Sequence, residues 1–289
     1  MATTLQLFFS GLTVGAIYAL VAIGFTLVYS SSDVVNFAQG EFVMLGGMIT
    51  ATLVGAGVSL ALAMLIAVIV TCLVGLSLYV LAIEPAKGAE PVILIIITIG
   101  ASILLRGAAA VVMGKEFHVF PPLSRDVLTL SDASIQMQSL FVISGTVVIV
   151  LSLLLFLGMS KLGRGIRATA ANKLAARLSG INPSLIIGLT FLISALIGAI
   201  GGILVTPITL TSYDVGTLLA VKGFAAAMLG GLGHPAGPVL GGLIIGLLEA
   251  FGAGYISSQY KDVFAFLALL AVLFCYPQGL LGRRAVERV

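Results

Sequence analysis

The chain has few of the residue types that a water-soluble surface needs. Only 9% of its 289 residues are charged, whereas 60% are hydrophobic. Soluble domains carry about 25% charged residues and about 45–50% apolar residues, so this surface would not stay dispersed in water. The composition excludes a soluble enzyme, a nucleic-acid-binding protein and a disordered protein. It predicts one all-α, polytopic membrane domain over residues 1–289, with about eight or nine spanning or re-entrant segments.

The sequence also lacks the side chains of most metal, redox and nucleotide sites. Its two cysteines, Cys72 and Cys275, lie in apolar runs and are expected to be small buried hydrophobes. Neither histidine, His118 or His234, has a partner at ligand spacing, so we expect no metal. No segment matches the GxxxxGK[ST] phosphate-binding loop, so any nucleotide chemistry must belong to another polypeptide.

Nine apolar stretches approach the length of about 20 residues that a helix needs to cross a bilayer. The first has no basic segment before it and is expected to remain as a span. Residues 37–55 and 217–233 begin beside polar residues, so they are candidates for short, broken or re-entrant elements. The nine stretches are 7–29, 37–55, 61–83, 92–112, 140–158, 184–206, 217–233, 238–256 and 263–277.

Basic residues predict which side of the membrane each connection faces. No Asp or Glu occurs between Ala133 and Tyr213, and the loop 159–183 within this region is basic. The positive-inside rule places that loop in the cytoplasm, so 84–91 faces inside and 113–139 faces outside. Two roles remain open for 113–139: a connector with a short surface helix, or a docking contact for an external partner. The N-terminus lies outside if 37–55 crosses fully, and inside if it is re-entrant. The basic residues are Lys161, Arg164, Arg167, Lys173 and Arg177 in the loop, and Arg283, Arg284 and Arg288 at the end of the sequence.

Small residues recur at the spacing that lets membrane helices pack closely. Such helices associate through van der Waals contact between small residues, because burying apolar surface gives no gain within lipid. Gly11 and Gly15 form one GxxxG step, and Gly198 and Gly202 form another. We therefore expect the helices that contain them to pack tightly against their neighbours.

Four ionisable residues lie within or near the spans, where charge is expensive and usually faces a protein interior or a cavity. We expect structural roles for Arg106 and Lys222. Glu249 has no partner nearby in the sequence, so structural pairing and pathway lining both remain open for it. Glu41 follows the most polar entry to any apolar stretch. The predicted pathway or gate residues are Asn36, Phe37, Gln39, Glu41 and Glu249.

The basic loop 159–183 contains a pattern that predicts one short helix. Ile166, Ala170, Leu174 and Leu178 recur every fourth residue. Gly180 follows as a candidate C-terminal cap, and Pro183 then stops the helix. Two roles remain open for this helix: docking into a groove of a partner, or resting on the lipid headgroups.

Several segments, in this order, resemble the permeases of branched-chain amino acid ABC transporters. The family usually has histidine where this chain has Gln39, and the resemblance covers essentially the whole chain. Its segments read Gly-Ala-Ile-Tyr-Ala-Leu at 15–20, Val-Asn-Phe-Ala-Gln-Gly-Glu at 35–41, Arg-Gly-Ile-Arg-Ala at 164–168, Ala-Ala-Arg-Leu-Ser-Gly-Ile-Asn at 175–182 and Gly-Pro-Val-Leu-Gly-Gly at 237–242.

The resemblance implies a permease subunit of an importer in the bacterial inner membrane, with branched-chain or related hydrophobic amino acids as substrates. A second permease subunit, two cytoplasmic ATPases and an external solute-binding protein would be its partners. ATP and Mg²⁺ would bind to the ATPases, and this chain would bind no cofactor. Loop 159–183 would be the coupling loop, with Arg164, Arg167, Ala171, Lys173, Ala175 and Gly180 as its contact residues.

Two other functions are alternatives to a permease subunit of an ATP-driven importer. An ion-coupled secondary transporter for a small polar solute needs a proton or sodium site within the membrane, for which Glu41 and Glu249 are the candidates. An intramembrane enzyme needs a nucleophile with a base, or metal ligands, at the same depth. The chain has no histidine or cysteine neighbourhood for that chemistry, so the sequence favours a transport subunit.

Overall fold

The computed structural model describes residues 2–124, 126–130, 133–234, 236–276 and 278–282. Arg283, Arg284 and Arg288, which the positive-inside rule assigns to the cytoplasm, lie outside the described residues. The elements are α1 (Ala2–Ser32), α2 (Gln39–Gly55), α3 (Leu60–Leu78, continued by a π-helical turn over Tyr79–Ile83), α4 (Pro91–Val112), β1 (Val127–Leu130), β2 (Ala133–Gln136), α5 (Met137–Met159), α6 (Lys161–Ala171), α7 (Lys173–Leu178), α8 (Pro183–Thr209), α9 (Val215–Gly230), α10 (Gly237–Tyr255) and α11 (Lys261–Cys275, preceded by a 3-10 turn over Ser258–Tyr260).

All nine apolar stretches form helices, which confirms the all-α membrane bundle. Of the described helices, seven are long and apolar enough to cross a membrane. Helices α2 and α9 have 17 and 16 residues. At a rise of 1.5 Å per residue each is only about 25 Å long, less than the hydrocarbon core of about 30 Å. Most of their residues are buried by the other helices, so both are inner elements of the bundle.

Two expectations about the periphery are wrong. The connection between α4 and α5 contains the antiparallel pair β1–β2, in place of a short surface helix, because alternating β-branched residues favour strands. Cys275 is exposed and Cys72 is only partly buried, although both were expected in the core. Cys275 ends α11, in which Ala265 is the one buried residue because this helix packs at the edge of the bundle.

The predicted glycine steps bring α1 and α10 into the most extensive helix pair of the bundle. A Cβ atom on Gly15 would lie 2.8 Å from the Cα of Leu243, and one on Gly246 would overlap the backbone of Gly15. On the other side, Gly202 packs against the backbone of Val43 in α2. Close backbone approach through these glycines therefore holds α1, α2, α8 and α10 together, as the GxxxG spacing predicts.

The two ends of α1 lie at opposite ends of the bundle. Near its start, the Thr4 hydroxyl is 2.8 Å from the hydroxyl of Tyr255, which ends α10. At its end, the Ser32 carbonyl accepts a hydrogen bond of 2.9 Å from Lys173 in loop 159–183. We call the end that carries this loop the basic end. The start of α1 therefore lies at the end opposite the basic loop.

The end of α3 is anchored at the basic end. Hydrogen bonds from Lys87 and Tyr79 lower the pKa of Glu84, just beyond the span, to about 2, so its carboxylate is ionised at neutral pH. Ser184, at the start of α8, donates a hydrogen bond of 2.7 Å to this carboxylate. The connection between α3 and α4 therefore lies on the same side as loop 159–183, as predicted.

Helix α2 begins inside the bundle and not at its surface. Gln39 packs against Gly24 of α1 and Ser194 of α8, both of which lie well within their helices. Farther along α2, Gly47 packs against Thr206 near the end of α8. Residues 33–38 therefore run from the basic end into the interior, and α2 continues to the opposite end. Stretch 37–55, with this entry, makes one broken crossing.

Polar side chains satisfy the non-helical backbone of this broken crossing. The amide of Phe37 donates to the Thr98 hydroxyl at 3.2 Å, and the amide of Ala38 donates to the Asn36 side-chain oxygen at 3.1 Å. The Val35 carbonyl accepts from Thr98 at 3.2 Å. Irregular backbone at membrane depth requires such partners, because no water is available in the hydrocarbon.

Loop 159–183 contains two helices, so the prediction of one helix is wrong. Asn172 has an extended backbone (φ −165°, ψ 111°) between α6 and α7, and its side chain accepts a hydrogen bond from the amide of Ala175. This N-cap starts a new helix at a point where the apolar residues at every fourth position predicted that the first helix would continue. The predicted cap at Gly180 is confirmed: its φ is +82°, and the Ile181 amide bonds back to the Ala176 carbonyl at 3.0 Å.

Candidate translocation site and coupling surface

The polar residues at the start of α2 are buried in the interior of the bundle. Asn36, Gln39 and Glu41 are each 0% exposed. The Gln39 side-chain amide donates to the Ser194 carbonyl at 3.2 Å, and the Ser194 hydroxyl donates to the Gln39 side-chain oxygen. The pathway role predicted for these three residues stays a prediction. No feature of the sequence indicated that α8 would pair with Gln39.

Glu41 joins three helices through its carboxylate. Its Oε1 accepts a hydrogen bond of 2.8 Å from Ser102 of α4 and one of 3.4 Å from Thr217 of α9. Thr217 in turn accepts a hydrogen bond of 2.9 Å from Arg106. The guanidinium of Arg106 therefore reaches the buried carboxylate through one threonine, which is the structural role expected for it.

Helix α9 also begins beside this carboxylate. Gly216, its second residue, packs against Gly40 so closely that a Cβ on either glycine would overlap atoms of the other residue or of Glu41. The positive end of the α9 dipole therefore lies next to the Glu41 side chain. Two short helices therefore start side by side with the Glu41 carboxylate between them, and Asp214 and Thr217 at the start of α9 are exposed.

Two polar atoms of this group have no hydrogen-bond partner among the described residues: Nδ2 of Asn36 and Oε2 of Glu41. A buried polar atom left unpaired costs about 1–3 kcal/mol. Such a cost needs a reason. A donor and an acceptor that remain free are available to a water molecule or to the polar groups of a passing solute.

An aromatic group lies between these polar residues and the basic end. The ring of Phe37 is 6.1 Å from Phe25 of α1 and 5.4 Å from Phe224 of α9, and the last two are 5.7 Å apart between centroids. Phe25 is buried, whereas Phe37 and Phe224 are partly exposed. Phe37 thus has the apolar surroundings that a constriction needs. Sequence reasoning missed Phe224, because an apolar helix with one more aromatic residue carries no signal.

A second buried group contains Lys222 and Glu249, which are 3% and 5% exposed. The Lys222 ammonium lies 2.9 Å from Glu249 Oε1 and 2.6 Å from Asp262 Oδ1, and it donates to the Tyr18 hydroxyl at 3.0 Å. Tyr18 donates to the other oxygen of Glu249 at 2.7 Å. These contacts connect α1, α9, α10 and α11. Glu249, which has no partner nearby in the sequence, is paired across the fold.

The predicted coupling residues lie on the surface of the basic end. Helices α6 and α7 present a basic and apolar surface, on which Leu174 is 67% and Leu178 is 82% exposed. Ile166, from the same fourfold pattern, is buried against α1 and α8. The break at Asn172 thus turns the later half of the pattern outward. The exposed predicted residues are Arg164, Arg167, Ala171, Lys173, Ala175 and Gly180.

Comparison with known proteins identifies the family of this chain. Residues 7–273 match the family model described as the permease component of the branched-chain amino acid transport system. The chain is 38% identical to the high-affinity branched-chain amino acid transport system permease protein BraD of Pseudomonas aeruginosa, over 99% of this chain and 98% of that protein. It is 35% identical to the LivH protein of Escherichia coli, over 99% and 97%. A more distant relative is the ribose import permease RbsC of Haemophilus influenzae, at 28% identity over 89% and 81%.

Proposed function

This chain belongs to the permease family of the branched-chain amino acid transport systems, and we propose that it imports branched-chain or related hydrophobic amino acids in an ATP-driven complex. It is a multi-pass membrane protein and a transport subunit. We place it in the bacterial inner membrane, with residues 1–289 as one transmembrane domain. The observation that carries the proposal is the buried group of polar residues Asn36, Gln39 and Glu41 at the start of α2, beside the start of α9.

In this proposal the start of α2 forms the gate of the translocation pathway. Asn36 and Glu41 offer a free donor and a free acceptor to the charged groups of an amino acid. Phe37, with the neighbouring phenylalanines, forms the apolar constriction on the side of the basic end. Gln39 holds the start of α2 against α8, so that the gate residues keep their positions.

Glu249 was the fifth pathway candidate, and pathway lining stays a prediction for it. Its contacts support the structural alternative, because Lys222 and Tyr18 occupy both oxygens of its carboxylate. A carboxylate paired in this way has its charge compensated by groups of the bundle itself. We therefore propose that Glu249 holds α10 against α1 and α9.

The basic end carries the proposed contact with two cytoplasmic ATPases, which bind ATP and Mg²⁺, while this chain binds no cofactor. The exposed leucines of α7 supply apolar contact area, and Arg164 and Arg167 supply charge. Ala171, Ala175 and Gly180 are small and permit close approach. A second permease subunit completes the pathway, and an external solute-binding protein delivers the amino acid.

The test is uptake of labelled leucine into proteoliposomes that contain the complete complex, with ATP on the ATPase side and the binding protein on the other. We expect uptake that requires ATP, stops when the ATPase active site is inactivated and persists with a protonophore. Uphill uptake by this chain alone, driven by a proton or sodium gradient, would contradict the proposal.

A further inference from the structure

We propose that the ion pair between Asp33 and Lys173 transmits movement of α7 to the gate at the start of α2. This role rests on the function proposed above, in which α7 faces the ATPases. It makes both residues positioning residues: neither touches the solute, and both act through residues 33–38. The proposal follows from the contact itself, from the unfavourable local position of each residue and from the connection between Asp33 and Glu41.

The contact joins two parts of the chain that are 140 positions apart. The Lys173 ammonium lies 2.6 Å from Asp33 Oδ2, and it donates to the Ser32 carbonyl at 2.9 Å. One side chain from α7 therefore holds both the last residue of α1 and the first residue of the non-helical entry segment. The pair is at the surface, with side chains 42% and 73% exposed.

Each partner occupies a position that its own element disfavours. Asp33 follows the end of α1 with φ +64°, a left-handed conformation that glycine adopts at lower cost than aspartate. Lys173 is the first residue of α7, where the positive end of the helix dipole disfavours a cation.

The contact between Lys173 and the end of α1 explains why both residues occupy these unfavourable positions. The Lys173 ammonium lies at the C-terminal end of α1, where free carbonyls carry partial negative charge, and the Asp33 carboxylate completes its coordination. When two local preferences are overridden and a single tertiary contact explains both, that contact is a candidate for function.

The segment beyond Asp33 is short and is held by its own hydrogen bonds. The Val34 amide donates to the Ser32 hydroxyl at 3.1 Å, and the Gln39 amide donates to the Asn36 carbonyl at 3.0 Å. Val34 and Asn36 are buried, so the segment is packed along its length. A displacement of Asp33 therefore passes to Asn36 and to the start of α2, because the intervening chain has little slack.

Helix α7 has room to move relative to the bundle. Of its six residues, Ala176 alone is buried. A cleft of about 500 Å³ lies beside it, lined by Asp33, Lys173 and the connection between α3 and α4. A short helix with one buried residue is weakly held by packing. The ion pair between Lys173 and Asp33 connects this helix directly to residues 33–38.

The experiment compares solute transported per ATP hydrolysed in proteoliposomes with the complete complex. Asp33→Gly removes the carboxylate and suits the positive φ, Lys173→Met removes the ammonium, and a third variant carries both changes. The matched control is Lys87→Met, which removes an ion pair of the same length, 2.6 Å to Glu84, within one connection of the basic end. Exposed ion pairs add little to stability, so all variants should fold.

We expect each single variant to lower the ratio of solute to ATP several-fold. Because Asp33 is not among the predicted ATPase contacts, Asp33→Gly should leave ATP hydrolysis and recovery of the ATPases at wild-type levels. The double variant should be no worse than either single one, because both remove the same interaction. The Lys87→Met variant should keep the wild-type ratio.

Four results would overturn the inference: a wild-type ratio for Asp33→Gly, additive losses in the double variant, an equal loss in Lys87→Met, or lost recovery of the ATPases with Asp33→Gly. The last of these would show that Asp33 acts on the ATPase contact and not on the gate. Failure of the proposed function has a different signature, since the wild-type complex would then show no ATP-dependent uptake.

Discussion

Glu41 is a carboxylate held out of solvent at the point where two helices begin. Its partners are neutral hydroxyl groups, and the nearest cation reaches it through Thr217. Burial of charge in this manner is costly and, within a membrane protein, indicates function. Oε2 of Glu41 is therefore a free acceptor at the proposed gate of the pathway.

For Glu41→Gln we expect leucine uptake to fall at least about tenfold, the equivalent of one lost charge-assisted hydrogen bond. Assembly should be unchanged, because glutamine has the same shape and still accepts from Ser102. Uptake and co-purification of the partner subunits are the measurements, with Glu116→Gln in the exposed connection after α4 as the control. Full uptake by the Glu41 variant would remove this residue from the pathway.

Lys222 has a structural role, since its buried ammonium pairs with the buried Glu249 and with the half-exposed Asp262. Lys222→Met leaves Glu249 and Asp262 without a cation, and losing one partner of a buried pair costs about 3–5 kcal/mol. We expect a clearly lower midpoint of thermal unfolding, followed by the circular dichroism of the purified protein. Adding Glu249→Gln should restore part of the loss, and Lys115→Met at an exposed site should have almost no effect. An unchanged midpoint for Lys222→Met would contradict the structural role.

At the scale of elements, the pair α1–α10 depends on glycine. Helices that approach this closely leave no space for a methyl group on Gly246, whereas Gly107 of α4 has nothing within 4 Å of its Cβ position. The two glycines therefore form a matched pair, in which one substitution has opposite consequences.

Gly246→Ala should lower the free energy of unfolding by about 1–3 kcal/mol, the usual cost of overpacking. Gly107→Ala should leave it unchanged or raise it by up to about 1 kcal/mol, because alanine favours helix. Thermal unfolding of the two purified variants, measured side by side, is the check. Equal effects would show that the α1–α10 contact is not as close as described.

Helices α6 and α7 show how a capping residue redirects a surface. Asn172 ends one helix and starts the next, so that Ile166 packs inward while Leu174 and Leu178 face outward. The surface offered to a partner is thus both basic and apolar.

Reversing the charge at Arg164 and Arg167 together should weaken recovery of the ATPases at least about tenfold, because placing like charges in contact costs several kcal/mol. Co-purification on the tagged permease measures this. Lys115→Glu, at the opposite end of the bundle, serves as the control. Undiminished recovery for the double reversal would count against the coupling surface.

At the scale of the whole molecule, the broken crossing at 33–55 determines which side of the membrane the start of α1 faces. The start of α1 and the connection between α2 and α3 lie at one end, and loop 159–183 lies at the other. The positive-inside rule then places the start of α1 outside.

This topology predicts labelling by a membrane-impermeant maleimide. With Cys72 and Cys275 replaced, a cysteine at Ala56 should react in intact cells, and one at Ser179 should react only in inverted vesicles. Both positions are exposed. Reaction of both cysteines from the same side would refute the broken crossing.

The sequence by itself determined the helices, the close helix pairs and the basic loop. Each of these depends on local rules: a bilayer requires about 20 apolar residues, and small residues at every fourth position form one face of a helix. The polar entry at 36–41 also predicted a gate segment, and the family resemblance in 164–182 predicted a coupling segment. The prediction of one helix failed at Asn172, because its side chain caps a new helix although the apolar residues recur at every fourth position.

Only the tertiary structure decided which polar groups meet. Ser102 and Thr217 are 61 and 176 positions from Glu41, and Lys222 and Asp33 find their partners over similar distances. It also decided that α2 begins inside the bundle, since its entry depends on polar partners from α4 and α8. A buried charge requires a partner but does not specify which one; the packing of the other helices selects it.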